Sequence, residues 1–345
     1  MDDAPEYSET IRTEDDPDST PEEVLPGRRA RRHTETQRGK TAIRVLVALG
    51  VLVAFAALIA YGFRWVSANE RVRTARDNVE SAARLMEVAE EDLVVVDGAV
   101  QSDISADVAT QTAEAALLAG PVGEQLADAI EMIDDALPDL PADDVPLAEA
   151  LAESARARAT MMQEAPAILD ANQKAAAATV FADEALDALK AAEGHSAQAT
   201  TEFNKHTKDG VRASGEASVK AEEQLVIARS QLASATVAFP EVDYAAFTTY
   251  IDAKVELIGL SKEIDQLWLA DKIEESNKKL DAYNKRDAEV VAMAKALPAS
   301  VRDPIADAYA AATKQAVERY FMARERARAA GETVEELREA ASRRP

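Results

Sequence analysis

The chain has 345 residues, with 39 Lys and Arg against 63 Asp and Glu, three His and no Cys. That acidic balance excludes a nucleic-acid surface, whose affinity depends on dense Lys and Arg, and the lack of thiols excludes a disulfide framework, a thiolate metal site and a cysteine nucleophile. Alanine supplies 73 residues, glycine 12 and aromatics 5%, which favours helix and deprives a sheet of its β-branched and aromatic pairs. The expected fold class is all-α: a single transmembrane helix continuing into an elongated antiparallel helical bundle or coiled coil.

Residues 1–41 have no apolar periodicity and are rich in Asp, Glu, Ser, Thr and Pro. Such a segment buries too little surface to offset chain entropy, so a disordered tail is expected. Residues 45–63 then run for nineteen positions without a charge, VLVALGVLVAFAALIAYGF. At ~1.5 Å per residue a helix of that length crosses a ~30 Å hydrocarbon core, and the transmembrane segment is placed at 42–66.

Orientation follows from the flanks. Before the run stand seven cations, Arg28, Arg29, Arg31, Arg32, Arg38, Lys40 and Arg44, with one acid, Glu35; between residues 64 and 80 there are four cations and three acids. The positive-inside bias puts the tail in the cytoplasm and residues 67–345 outside. Cleavage after Val66-Ser67-Ala68 is the competing account, but nineteen apolar residues exceed a signal peptide's usual ~7–15, so a retained anchor is expected. Residues 64–345 carry fifty-two acids and thirty-one bases.

From Val72 the pattern becomes a heptad, with Val72, Ala75, Val79, Ala82, Met86, Ala89, Leu93, Val96 and Val100 at alternating steps of three and four. This predicts a coiled-coil stalk over 67–119, pairing within the chain or with a second copy, and ended by Gly120-Pro121. Residues 120–345 are expected as an extracytoplasmic helical bundle. In it a helix over 122–137 precedes a Pro-rich loop at 138–146, and Pro166 is expected to kink or restart the next helix.

A second seam, built of small residues, runs from Ile168 through Ala175, Ala182, Ala192, His206 and Ala217 to Phe239. The next helix is expected over 244–297, its large apolar residues spread widely enough around Ile251, Leu257, Ile258 and Trp268 to meet two neighbours. Pro298 and Pro304 mark a turn, and Gly331 is expected to separate a short terminal helix.

Candidate sites are sparse. His195 and His206 lie eleven residues apart, ~16 Å along a helix, too far to share one ion. Asp134, Asp135, Asp139, Asp143 and Asp144 lack the alternate-position spacing, the glycine and the final glutamate of an EF-hand loop. No nucleotide, zinc-protease or triad motif occurs, so no cofactor, metal or catalytic residue is assigned and no enzyme is expected. Trp268 is the candidate core or partner-binding aromatic. The sequence therefore reads as a membrane-anchored module outside the cytoplasm with an unknown protein partner and a possible homo-oligomeric stalk. The alternative is a sensor that binds a ligand near Trp268 and signals to the tail.

Overall fold

The computed structural model describes residues 67–102 and 110–343. The chain divides into two units, Met1–Val66 and Ser67–Pro345. The expected tail, the arginine cluster from Arg28 to Arg44 and the apolar run at 45–63 all lie outside the described residues. Among the described residues no helix is long and apolar enough to cross a membrane.

The order of elements is α1 (Glu35–Val100), α2 (Ala109–Ala136), α3 (Val145–Phe203), α4 (Lys208–Ala238), α5 (Ala245–Leu269), α6 (Ile273–Ala296) and α7 (Asp303–Ser342), with one 3₁₀ turn at Leu137–Asp139. Among the described residues there is no strand. The all-α expectation holds, and the unit Ser67–Pro345 is bundle-like.

Two apolar clusters fill this unit. The first joins Met86, Leu93 and Val96 of α1, Val122, Leu126 and Ile133 of α2, Leu151, Ile168 and Leu169 of α3, and Tyr320 and Val334 of α7. The second joins the later part of α3, from Ala175 to Ala192, to Leu225 and Leu232 of α4, Ile251 and Leu257 of α5, Val290 of α6 and Ile305 of α7. Helix α3 has 59 residues, hence ~88 Å of rise, and it serves both clusters; α7 does the same in the opposite sense.

Interhelical ion pairs report the directions. Arg71 with Asp139, Arg76 with Asp144 and Arg158 with Glu90 are each 68 residues apart, so α1 runs parallel to the start of α3. Between α3 and α7, Arg319 grips Glu164 and Arg302 grips Asp183, each through two hydrogen bonds of 2.6 to 2.8 Å, which is antiparallel. Lys262 with Glu222 and Arg229 with Asp252 set α5 against α4, and Lys279 with Glu263 and Arg286 with Glu256 set α6 against α5, both antiparallel. Exposed pairs contribute little stability singly. Their repetition along each pair of helices specifies register, while apolar burial supplies most of the driving force.

Several expected boundaries are corrected. The heptad helix ends at Val100 instead of near Ala119, where the Gln101 amide and the Ser102 hydroxyl donate to the Asp97 and Ala99 carbonyls. Gly120-Pro121 lies inside α2; the carbonyl that Pro121 leaves without a partner belongs to Leu117, which is 78% exposed and open to water. Pro166 likewise lies inside an uninterrupted α3, and Gly331 inside α7. Conversely, the seam expected over 167–239 is cut at Asn204–Thr207, and the helix expected over 244–297 at Ala270–Lys272.

Both cuts turn on a non-glycine residue in the left-handed region, His206 with φ 50° and Asp271 with φ 59°. At the second, Lys272 N–H donates to the Leu267 carbonyl and Asp271 N–H to the Trp268 carbonyl, the paired bonds that close a helix C-terminus. At the first, the Thr207 hydroxyl caps α4 by accepting from Gly210 N–H at 3.0 Å. A Cβ on Gly210 would stand 2.6 Å from the Glu202 carbonyl oxygen, a backbone atom that cannot swing aside. Gly210→Ala is thus expected to destabilise by ~1–3 kcal/mol through strain at this corner. An unchanged urea midpoint would refute that close approach.

Candidate functional site

Among the residues singled out from sequence, the seam is the best resolved. Met86, Leu93 and Val100 are buried, while Val72 and Val79 are half-buried; all but Val72 belong to the first cluster or pack against it. Their neighbours in that cluster come from α2, α3 and α7, so this stretch packs within its own chain. The aspartates of the 134–144 stretch serve as ion-pair acceptors: Asp134 for Arg156, Asp139 for Arg71 and Asp144 for Arg76. Among the described residues no group of three His, Asp or Glu is placed to hold a metal ion. His195 is half-buried on α3. His206 is not a seam residue as its spacing suggested; it is exposed in the α3–α4 turn, its ring edge-on to Phe203 at 6.2 Å. Trp268 is half-buried in the last turn of α5 and belongs to neither cluster.

A polar junction joins the end of α1 to the middle of α7. Asp97 accepts from the Tyr320 hydroxyl at 2.9 Å, from Arg324 Nε at 2.9 and 3.1 Å, and from the Gln101 amide at 2.6 Å. Tyr320 is completely buried, and burial followed by the Asp97 charge raises its phenol well above the usual range. This network orients the two helices.

No protein-family model, curated protein or solved structure matches this chain. The site is accordingly built from geometry alone.

A different kind of place lies between α3, α4, α5 and α6. A cavity of about 340 Å³ is lined by Glu193, Ser196 and Thr200 of α3, Ser218 of α4, Lys254 and Ser261 of α5, and Tyr283 and Asp287 of α6, over an apolar floor of Leu257 and Ile258. Its helices are held by the ion pairs already described and by the Tyr250 hydroxyl, which donates to Glu193 Oε1 at 3.3 Å. Burial, then the Glu193 charge, pushes the Tyr250 phenol up to about 12. Tyr283 is raised by burial and then by the Asp287 carboxylate. The Lys254 ammonium has no ion-pair partner and sits 5.8 Å from the centre of the Tyr250 ring.

One helical turn from this cavity along the antiparallel α4–α5 contact is Asp265. It is 3% exposed, and neither carboxylate oxygen has a hydrogen-bond partner in the chain. Burial raises it to about 6, offset in small part by the nearby Ser214 hydroxyl. Gly215 lies against it, and a Cβ there would meet Asp265 Oδ2 at 3.7 Å, an ordinary contact.

Sequence reasoning missed both features. Their signal was nonetheless present as polar residues four apart on facing helices, the buried Ser214 and Ser218 on α4 and the half-buried Ser261 with the buried Asp265 on α5. Alanine-rich seams conceal that signal, because Ser replaces Ala with little change in volume.

Proposed function

We propose that the chain is a single-pass membrane protein whose acidic helical unit, outside the cytoplasm, acts as a structural or protein-interaction module of the cell envelope. The observation that carries this reading is the uncharged run at 45–63 behind seven cations, a span with a defined orientation. Residues 64–345 suit spacing and docking: long helices fixed in register by ion pairs and filled with small side chains form a stiff body. Their excess of acids favours partners with cationic surfaces and keeps like copies apart.

The absence of native cysteine makes topology directly testable. Ser8→Cys in the tail and Ser230→Cys, exposed on α4, are each labelled with a membrane-impermeant maleimide in intact cells. The Ser230→Cys chain is expected to react in intact cells and the Ser8→Cys chain only after lysis. Reaction of both only after lysis, or release of the protein by carbonate washing, would overturn the anchored reading. The sensor alternative is favoured by one observation, the polar cavity between α3, α4, α5 and α6.

A further inference from the structure

The cavity differs from an ordinary gap between helices in the state of its polar groups. Elsewhere in this unit charged side chains are widely engaged, as in the pairs that join α3 to α7 and α5 to α6. Here three charged residues from three helices face one space, and neither Lys254 nor Asp287 forms an ion pair. Ser218 is 2% exposed and lines the cavity beside them.

The volume of about 340 Å³ lies at the lower end of the ~300–1,000 Å³ of small-molecule sites. Its lining holds two carboxylates, Glu193 and Asp287, and one ammonium, Lys254. The complementary ligand has two ammonium groups and one carboxylate. Leu257 and Ile258 supply a floor for a short methylene chain, and the Tyr283 ring adds a face that favours a cation. A dication without a carboxylate would leave Lys254 uncompensated; a plain carboxylate would leave Glu193 and Asp287 so.

We propose that this cavity binds a free dibasic amino acid, its carboxylate on Lys254 and the Ser218 and Ser261 hydroxyls and its ammonium groups on Glu193 and Asp287. The site is separate from the seam, the Asp97 junction and the membrane segment, and it stands whether or not the chain is anchored.

The probe is L-lysine, titrated calorimetrically into the full-length protein in detergent, with putrescine and acetate as the two half-ligands. L-lysine is expected to bind saturably with one site per chain, and each half-ligand at least ~10-fold more weakly. Lys254→Met is expected to lose at least ~10-fold in L-lysine affinity while leaving putrescine unchanged or stronger; Asp287→Asn is expected to weaken both. Circular dichroism checks that each variant is folded, and should Lys254→Met not fold, Ser261→Leu, which fills the cavity, is read in its place with the same expected loss. No heat with L-lysine at ~10 mM, equal affinities of wild type and the cavity variants, or putrescine binding as tightly as L-lysine would each overturn the assignment.

Discussion

Replacing Val79, Met86 and Leu93 together by Asp is expected to unfold the first cluster. Met86 and Leu93 are 5% and 7% exposed, and Val79 packs against the same core. Each substitution forfeits ~1.5–3 kcal/mol of apolar transfer and sets a carboxylate into an apolar face, a further cost that the arginines bordering these positions, Arg158 and Arg338 among them, offset only in part. The sum is comparable with the whole ~5–15 kcal/mol stability of a domain. Melting followed by circular dichroism should show loss of a cooperative transition and of helicity. The seam's neighbours are α2, α3 and α7 of the same chain, so sedimentation of the wild-type protein and of milder single variants should give the same mass. A wild-type dimer that Leu93→Asp converts to folded monomer would show that the seam pairs between chains. Unchanged helicity, melting and mass in the triple variant would remove Val79, Met86 and Leu93 from the core altogether.

The reason this seam was legible lies in its residues. Val, Met and Leu at steps of three and four leave one helical reading, and Met86, Leu93, Val96 and Val100 are buried by it. The position of chain reversals was not legible, because the usual punctuation is misleading here. Gly120-Pro121, Pro166 and Gly331 all lie within helices, while the reversals at His206 and Asp271 contain neither glycine nor proline. A proline inside a helix costs ~3 kcal/mol and a glycine ~1, sums that the flanking buried faces of 28- and 59-residue helices can offset. A left-handed His or Asp costs a similar ~1–2 kcal/mol, and apolar burial between α3 and α4, or α5 and α6, decides where the chain folds back. The seam spacing carries on across Asn204–Thr207, and alanines resume on both sides because α3 and α4 present small residues to each other, which lets antiparallel axes approach toward the ~8 Å limit. For the same reason the candidate cavity was hidden: Lys254, Glu193 and Asp287 come from three helices whose register only the folded chain reveals.

Asp265→Asn is expected to stabilise the protein at neutral pH and to flatten part of its pH dependence. The carboxyl of Asp265 titrates near 6 in the folded chain against an ordinary 3.8, so between those values the folded state holds a proton that the unfolded state has released. Its contribution to stability is therefore greatest below about pH 4, declines as pH rises through about 6, and is constant above. Two units correspond to ~3 kcal/mol, an upper figure that any penetrating water would reduce. Asparagine keeps the shape and removes the charge, so urea unfolding should give a variant more stable than wild type by ~1–3 kcal/mol at pH 7.5, and the difference should shrink through pH 6 to 4 and vanish by about pH 3.5. The Ser214 hydroxyl favours the ionised form without overcoming burial, and Ser276 is committed to the Ile264 carbonyl at 3.3 Å. Parallel stability curves for the two proteins would mean that the Asp265 charge is solvated in the folded state. A variant less stable than wild type at pH 7.5 would mean instead that the ionised carboxylate has a partner across α4. Since Asp265 lies one turn from Ser261 and Ser218, the same titrations with L-lysine present would show whether the charge held there is felt in the cavity.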